Sequence, residues 1–168
     1  MAGKSSYADK FYGSVIESAA NTLTFGEIMT NISIMEKWAW ILHRLEWSMD
    51  LASYDEVSGV GDMLEMALTM SNRISSLSFA DAAVIDKCQQ MIVVETAVGI
   101  QREQFPLIRD FTTLPGGGLI IPPRPLYIGV KGTSLANACF VEVRGYYTPI
   151  QVSGEAYYDL LDAYRLIQ

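Results

Sequence analysis

Histidine is nearly absent from this chain: His43 is the single imidazole among 168 residues. A metal cage built on two or three imidazoles is therefore excluded, and a serine or cysteine triad has only this ring to use. Leu42 and Arg44 flank it, and neither a GxSxG turn nor a cysteine signature occurs. A structural histidine is the plain reading, with a role in tuning an interface near neutral pH open to it. Cysteine is almost as scarce. Cys88 and Cys139 stand in apolar or mixed sequence without CxxC spacing, which reads as two buried free thiols rather than a disulfide framework or a zinc site. Charge is thin, with 18% charged residues against roughly 25% in ordinary soluble domains. The net charge is −7 and the basic residues are scattered, so no arm or stripe is available to neutralise nucleic-acid phosphates or an anionic membrane surface. The opening MAGKSSYADK holds two lysines and one aspartate, too little for a nucleic-acid-binding tail. No apolar run approaches the roughly 18 residues of a membrane span, and no charged-then-apolar leader opens the sequence. A soluble or particle-bound protein made inside a cell is expected, with no cofactor and no metal.

What is present is apolar. Half of the residues are hydrophobic, enough for the core of one domain, and the shortage of charged surface points to burial against other subunits. The pattern is mostly β. NTLTFGEIMTNISI, residues 21–34, alternates as a strand broken near Gly26; DMLEMALTMSN makes another. Within TTLPGGGLIIPPRPLYIGVKGT, glycines and prolines separate two short strands, LII and LYIGV. A strand resumes after Pro106, MIVVETAVGI is β-rich by composition, and ANACFVEVRGYYT alternates most cleanly, with Cys139, Val141, Val143 and Tyr147 on one face and Glu142, Arg144 and Thr148 on the other. Two helical elements are expected: a turn over AAVIDK with Asp81 as its N-cap, and a short terminal helix over 154–166 with Ser153 as cap.

The stretch EKWAWILHRLEWSMD fits two periods. Met35, Trp38, Leu42, Leu45 and Met49 fall at helical spacing, whereas a strand places Ala39, Ile41, Leu45, Trp47 and Met49 on one face and Arg44, Glu46 and Ser48 with Trp38, Trp40 and Leu42 on the other. Aromatic enrichment favours the strand, and Arg44 and Glu46, two apart, are then placed to meet cross-strand partners. Several short strands between glycine and proline turns, with little sustained helix, describe a closed or sandwiched β architecture.

Catalytic groupings are weak. PGGGL lacks the GxxxxGK[ST] and GxGxxG frames and precedes a strand. The carboxylate pairs Asp62/Glu65, Asp81/Asp86 and Asp159/Asp162 converge on no pocket and read as solvated faces. Trp38, Trp40, Trp47, Tyr146 and Tyr147 either stack on a sugar or base, or pack a core and a subunit interface, where aromatics and arginine are favoured. The candidate assembly or packing residues are therefore Trp38, Trp40, Arg44, Glu46, Trp47, Arg144, Tyr146 and Tyr147. No enzyme is expected.

Taken in order, KWAWILHRLEW, DMLEMALTMSN, LPGGGLIIPPRPLYIGVKGT and ACFVEVRGYYTPIQVSGEAYYDLL resemble the single jelly-roll capsid (coat) proteins of small icosahedral, tailless viruses. The resemblance implies an all-β fold, a single jelly-roll β-sandwich of about eight antiparallel strands with a short C-terminal helix, in which residues 1–20 form an N-terminal arm and 21–168 the domain. It implies self-assembly of copies into capsomers and an icosahedral shell in the virion, synthesis in the host cytoplasm, and contact with other virion proteins or an internal lipid layer. Many RNA-virus relatives package the genome with an arginine-rich arm, which this chain lacks. The competing expectation is a metal-free jelly-roll carbohydrate-binding module using the tryptophans.

Overall fold

The computed structural model describes residues 8–28, 38–49, 63–91, 107–122, 124–155 and 159. Nine strands appear among them: β1 (Asp9–Ile16), β2 (Thr24–Ile28), β3 (Trp38–Met49), β4 (Met63–Thr69), β5 (Val84–Met91), β6 (Leu107–Asp110), β7 (Leu119–Ile121), β8 (Leu126–Thr133) and β9 (Phe140–Gln151). They form two antiparallel sheets. Sheet A runs β1-β9-β3-β6 with β7 also on β3, and sheet B runs β2-β8-β4-β5. Pairing is early with late: β1 with β9, β2 with β8, β3 with β6 and β7, β4 with β5. The β9–β3 and β8–β4 ladders join these arms into a sandwich, an order consistent with a jelly roll.

The inner faces follow from alternation. Leu64, Met66 and Leu68 of β4, Leu126, Ile128 and Val130 of β8, and Val141 and Val143 of β9 are all buried, with the residues between them turned outward. Phe11, Trp40 and Tyr147 add an aromatic layer, the Trp40 and Tyr147 rings stacking at 4.3 Å between centroids. Gly145 makes room for it, because a Cβ there stands 2.1 Å from the Phe11 ring.

The strand reading of 38–49 holds, but its faces differ from the expected ones. Leu42 pairs with Tyr147 and Arg44 with Tyr146, so His43 is an extra residue, a β-bulge. The bulge shifts the phase by one. Trp40 and Leu42 before it and Leu45, Trp47 and Met49 after it all point inward. The three-residue step from Leu42 to Leu45 is what imitated a helix.

His43 is fixed by the connection between β6 and β7. Its carbonyl accepts the Phe111 N–H at 2.8 Å, its Nδ1 donates to the Gly117 carbonyl at 2.9 Å, and Nε2 stands 2.8 Å from the Thr148 hydroxyl. Because a carbonyl only accepts, Nδ1 carries a proton. These bonds tie β3 to the connection between β6 and β7 and to β9.

Other expectations need correction. AAVIDK does not form a helical turn: Val84 begins β5, and Asp81 instead accepts the Ala83 N–H at 2.9 Å in a tight turn. Pro149 lies within the last described strand, which runs past ANACFVEVRGYYT to Gln151. It pairs opposite Trp40, beyond the point where β1 leaves off at Asp9 opposite Tyr147, so its missing N–H costs the sheet no ladder bond on that side. Asp9–Ile16, within the segment read as an arm, is β1. The helix over 154–166 lies almost wholly outside the described residues and is not shown, as does the stretch 92–100.

Two clasps close the sandwich. Glu17, buried after β1, accepts the Gly132 N–H at 2.6 Å and the Cys139 N–H at 3.0 Å. Asn21, at φ 61°, exchanges two 2.8 Å hydrogen bonds with the Leu135 backbone beside it. At the other seam Asp86 of β5, 2% exposed, meets Arg109 of β6 at 3.1 Å and receives a long bond from Trp47 Nε1 at 3.4 Å, joining sheet B to sheet A. Burial pushes the Asp86 carboxyl above its ordinary value against the pull of Arg109. Cys88 and Cys139 are buried free thiols, and burial pushes them up to about 11 and about 12.

Candidate assembly surface on sheet A

The outer face of sheet A is laid out by register. One cross-strand row reads Lys10, Tyr146, Arg44, Asp110; the next Tyr12, Arg144, Glu46, Ile108; the third Ser14, Glu142, Ser48. Alternation on β1, β3 and β9 turns these side chains away from the core, so acid, base and phenol stand beside one another on a flat surface.

Glu46 is the hub. Its Oε1 meets Arg44 Nη2 at 2.7 Å, while Oε2 accepts the Tyr146 hydroxyl at 3.2 Å and lies 3.7 Å from Arg144 Nη1. The Arg44 guanidinium also sits 6.0 Å from the centre of the Tyr146 ring, within cation–π range. Tyr12 donates to Glu142, and that hydrogen bond, ahead of partial burial, holds its phenol above the ordinary value. Between these groups lies a depression of about 210 Å3 lined by Tyr12, Glu46, Ser48, Glu142 and Arg144. Exposed apolar side chains share the face. Tyr12 is 56% exposed and Ile108 53%, with Ile16 and Ile120 similarly open.

The structure thus divides the eight candidate residues. Arg44, Glu46, Arg144 and Tyr146 come together on the outer face. Trp40 and Trp47 are in the core and Tyr147 packs half-buried on Trp40. Trp38 is half-buried at the start of β3, opposite Gln151. An exposed tryptophan platform for a sugar therefore does not exist, because the bulge turns Trp40 and Trp47 inward together.

Tyr12 and Glu142 were missed as partners. The signal was in DKFYGSVI, where Phe11, Gly13 and Val15 alternate with Tyr12, Ser14 and Ile16. The polar residues ahead of it masked the period.

Sheet B presents a different exterior. Residues 70–83 fold back over it, and Leu77 with Ala67 and Val84 forms a second apolar cluster against Leu23, Phe25 and Ile74. Gly129 lets this cover settle, since a Cβ there lies 2.6 Å from Leu77 and 3.0 Å from Phe25. Beside it Glu65 of β4 pairs with Lys87 of β5 at 2.5 Å and accepts Gln89 at 2.6 Å. Burial pushes the Glu65 carboxyl up, but the bonds from Lys87 and Gln89 and the charges of Lys87 and Lys131 outweigh it, leaving it below its ordinary value.

No protein-family model and no curated protein sequence matches the chain. Among solved structures it is loosely similar to the human polyomavirus 6 VP1 pentamer, at 9% identity over 91% of this chain and 98% of that one with a TM-score of 0.45. It is similar also to an unassembled Washington University polyomavirus VP1 pentamer, at 11% identity over 89% and 98% with a TM-score of 0.38.

Proposed function

We propose that this chain is a structural capsid protein whose copies associate into an icosahedral shell, and that the outer face of sheet A is one surface through which they meet. The observation that carries the proposal is the contrast between the two exteriors: the chain covers sheet B with its own residues 70–83 but leaves open on sheet A a ladder of arginine, glutamate and tyrosine with exposed isoleucines among them. Such a surface holds both signs of charge, so a second copy can set its acids against these bases. Arginine and tyrosine are also the residue types that interface centres favour. The wrapped order of strands and the resemblance of the quoted segments to jelly-roll coat proteins support the same reading. In it the protein resides in the virion after synthesis in the host cytoplasm, and its first partner is itself.

Sedimentation velocity and electron microscopy of the purified chain over a range of salt and pH test the proposal. Discrete high-order particles are expected, and Arg144→Ala with Glu46→Ala is expected to reduce their yield. A monomer at every condition and concentration refutes it.

A further inference from the structure

A groove of about 760 Å3 opens where residues 70–83 meet the turn before β8, at the opposite end of sheet B from Glu17. Two arginines, Arg73 and Arg124, line it. Neither has an ion-pair partner among the described residues, whereas Arg44, Arg109 and Arg144 are all paired. Arg73 is exposed and Arg124 half-buried, and the groove they line also holds one carboxylate, Asp81, which is in ion-pair contact with neither. The walls are already held: the Arg124 N–H donates to the Pro122 carbonyl at 2.8 Å, the Arg73 N–H to Ser71 Oγ at 3.2 Å, and Ile74 is anchored in the apolar cover of sheet B. The backbone of both walls is therefore held before a ligand arrives.

We propose that this groove binds a small hydroxylated organic anion, a sugar acid or sugar phosphate, with its oxyanion between Arg73 and Arg124. Guanidiniums favour planar or tetrahedral oxyanions. Asn72, Ser75, Asp81 and Tyr127 also line the groove, so amide, hydroxyl and carboxylate groups and an aromatic side chain are at hand for the rest of such a ligand. The Asp81 carboxylate accepts hydroxyl protons and repels highly charged polyanions, which sets this site apart from a nucleic-acid contact. It uses none of the tryptophans and is independent of the assembly surface.

Isothermal titration of the full chain with glucuronate, glucose 6-phosphate, inorganic phosphate and acetate is the test. Saturable binding of glucuronate or glucose 6-phosphate is expected, at least about tenfold tighter than acetate or phosphate and weakened by about tenfold or more in Arg73→Gln and in Arg124→Gln. The two hydroxylated anions show which oxyanion is preferred. Should either variant unfold, chemical-shift mapping on the unaltered chain decides, with movement expected at residues 71–75 and 124–127. No saturation by about 10 mM, equal binding of the simple anions, or shifts elsewhere overturns the proposal.

Discussion

The two outer faces of this sandwich carry the same kinds of residue and use them differently. On sheet B the ion pair Lys87–Glu65 has both side chains 14% exposed and sits beside an apolar cover supplied by the chain itself. On sheet A the Arg144–Glu46 contact is longer, 3.7 Å, with the arginine side chain 55% exposed. A pair shielded from solvent keeps its Coulomb energy, whereas an open one is screened and contributes little to folding. The difference teaches that the exterior of sheet B is shielded by the chain's own residues, and that the charges of sheet A gain strength only when something excludes water from them.

The largest break in this comparison comes from stripping the cover. Leu77→Ala removes a buried side chain from a small cluster and is expected to cost about 2–5 kcal/mol, read as a lowered denaturation midpoint. The same loss from an exposed residue of sheet A, Ile108→Ala, is expected to leave the midpoint unchanged. Next comes acid. Glu65 titrates below its ordinary value in the folded state, so its pairing contributes stability that is complete above about pH 4.5 and is lost as pH falls through the folded value. Glu65→Gln is expected to flatten that acid limb in pH-dependent melts. Asp86 runs in the opposite sense. Its folded value is raised, so its share of stability is present in acid and declines as pH rises through that value, and Asp86→Asn is expected to remove the decline.

Smaller effects on folding come from sheet A. Glu46→Gln weakens the bonds to Arg44, Arg144 and Tyr146 together, and the expected signature is reduced particle yield and a weaker salt dependence of association, with a melting temperature close to that of the unaltered chain. A large drop in melting temperature instead places this network in folding rather than assembly. Tyr12→Phe, which keeps the ring and removes the hydroxyl that donates to Glu142 and meets Ser14, is expected to shift association least of all.

Most strands were legible because the core imposes a period of two on them: Val141 and Val143, or Leu64, Met66 and Leu68, announce an inward face without help from the rest of the fold. Three features were hidden, each for its own reason. The bulge at His43 depends on a connection from 111–118 that reaches β3 from far along the chain, and local spacing cannot record it. β5 was mistaken for a helical turn because Asp86 points inward, breaking the alternation to meet Arg109 across the seam. β1 was hidden by the polar residues before it. Of the outer ladder, Arg44, Glu46, Arg144 and Tyr146 were legible from their places on two strong strands; that they converge on one carboxylate follows from the register between β3 and β9, which no single segment specifies.

Because β1 is hydrogen-bonded to β9 along its whole length, a growing polypeptide emerging from the ribosome cannot complete sheet A until β9, more than a hundred residues later, has been synthesised. Such distant closure is slow and leaves greasy strands waiting unpaired. Production of this protein is therefore expected to depend on cellular holding factors, and on how fast the codons for β9 are read.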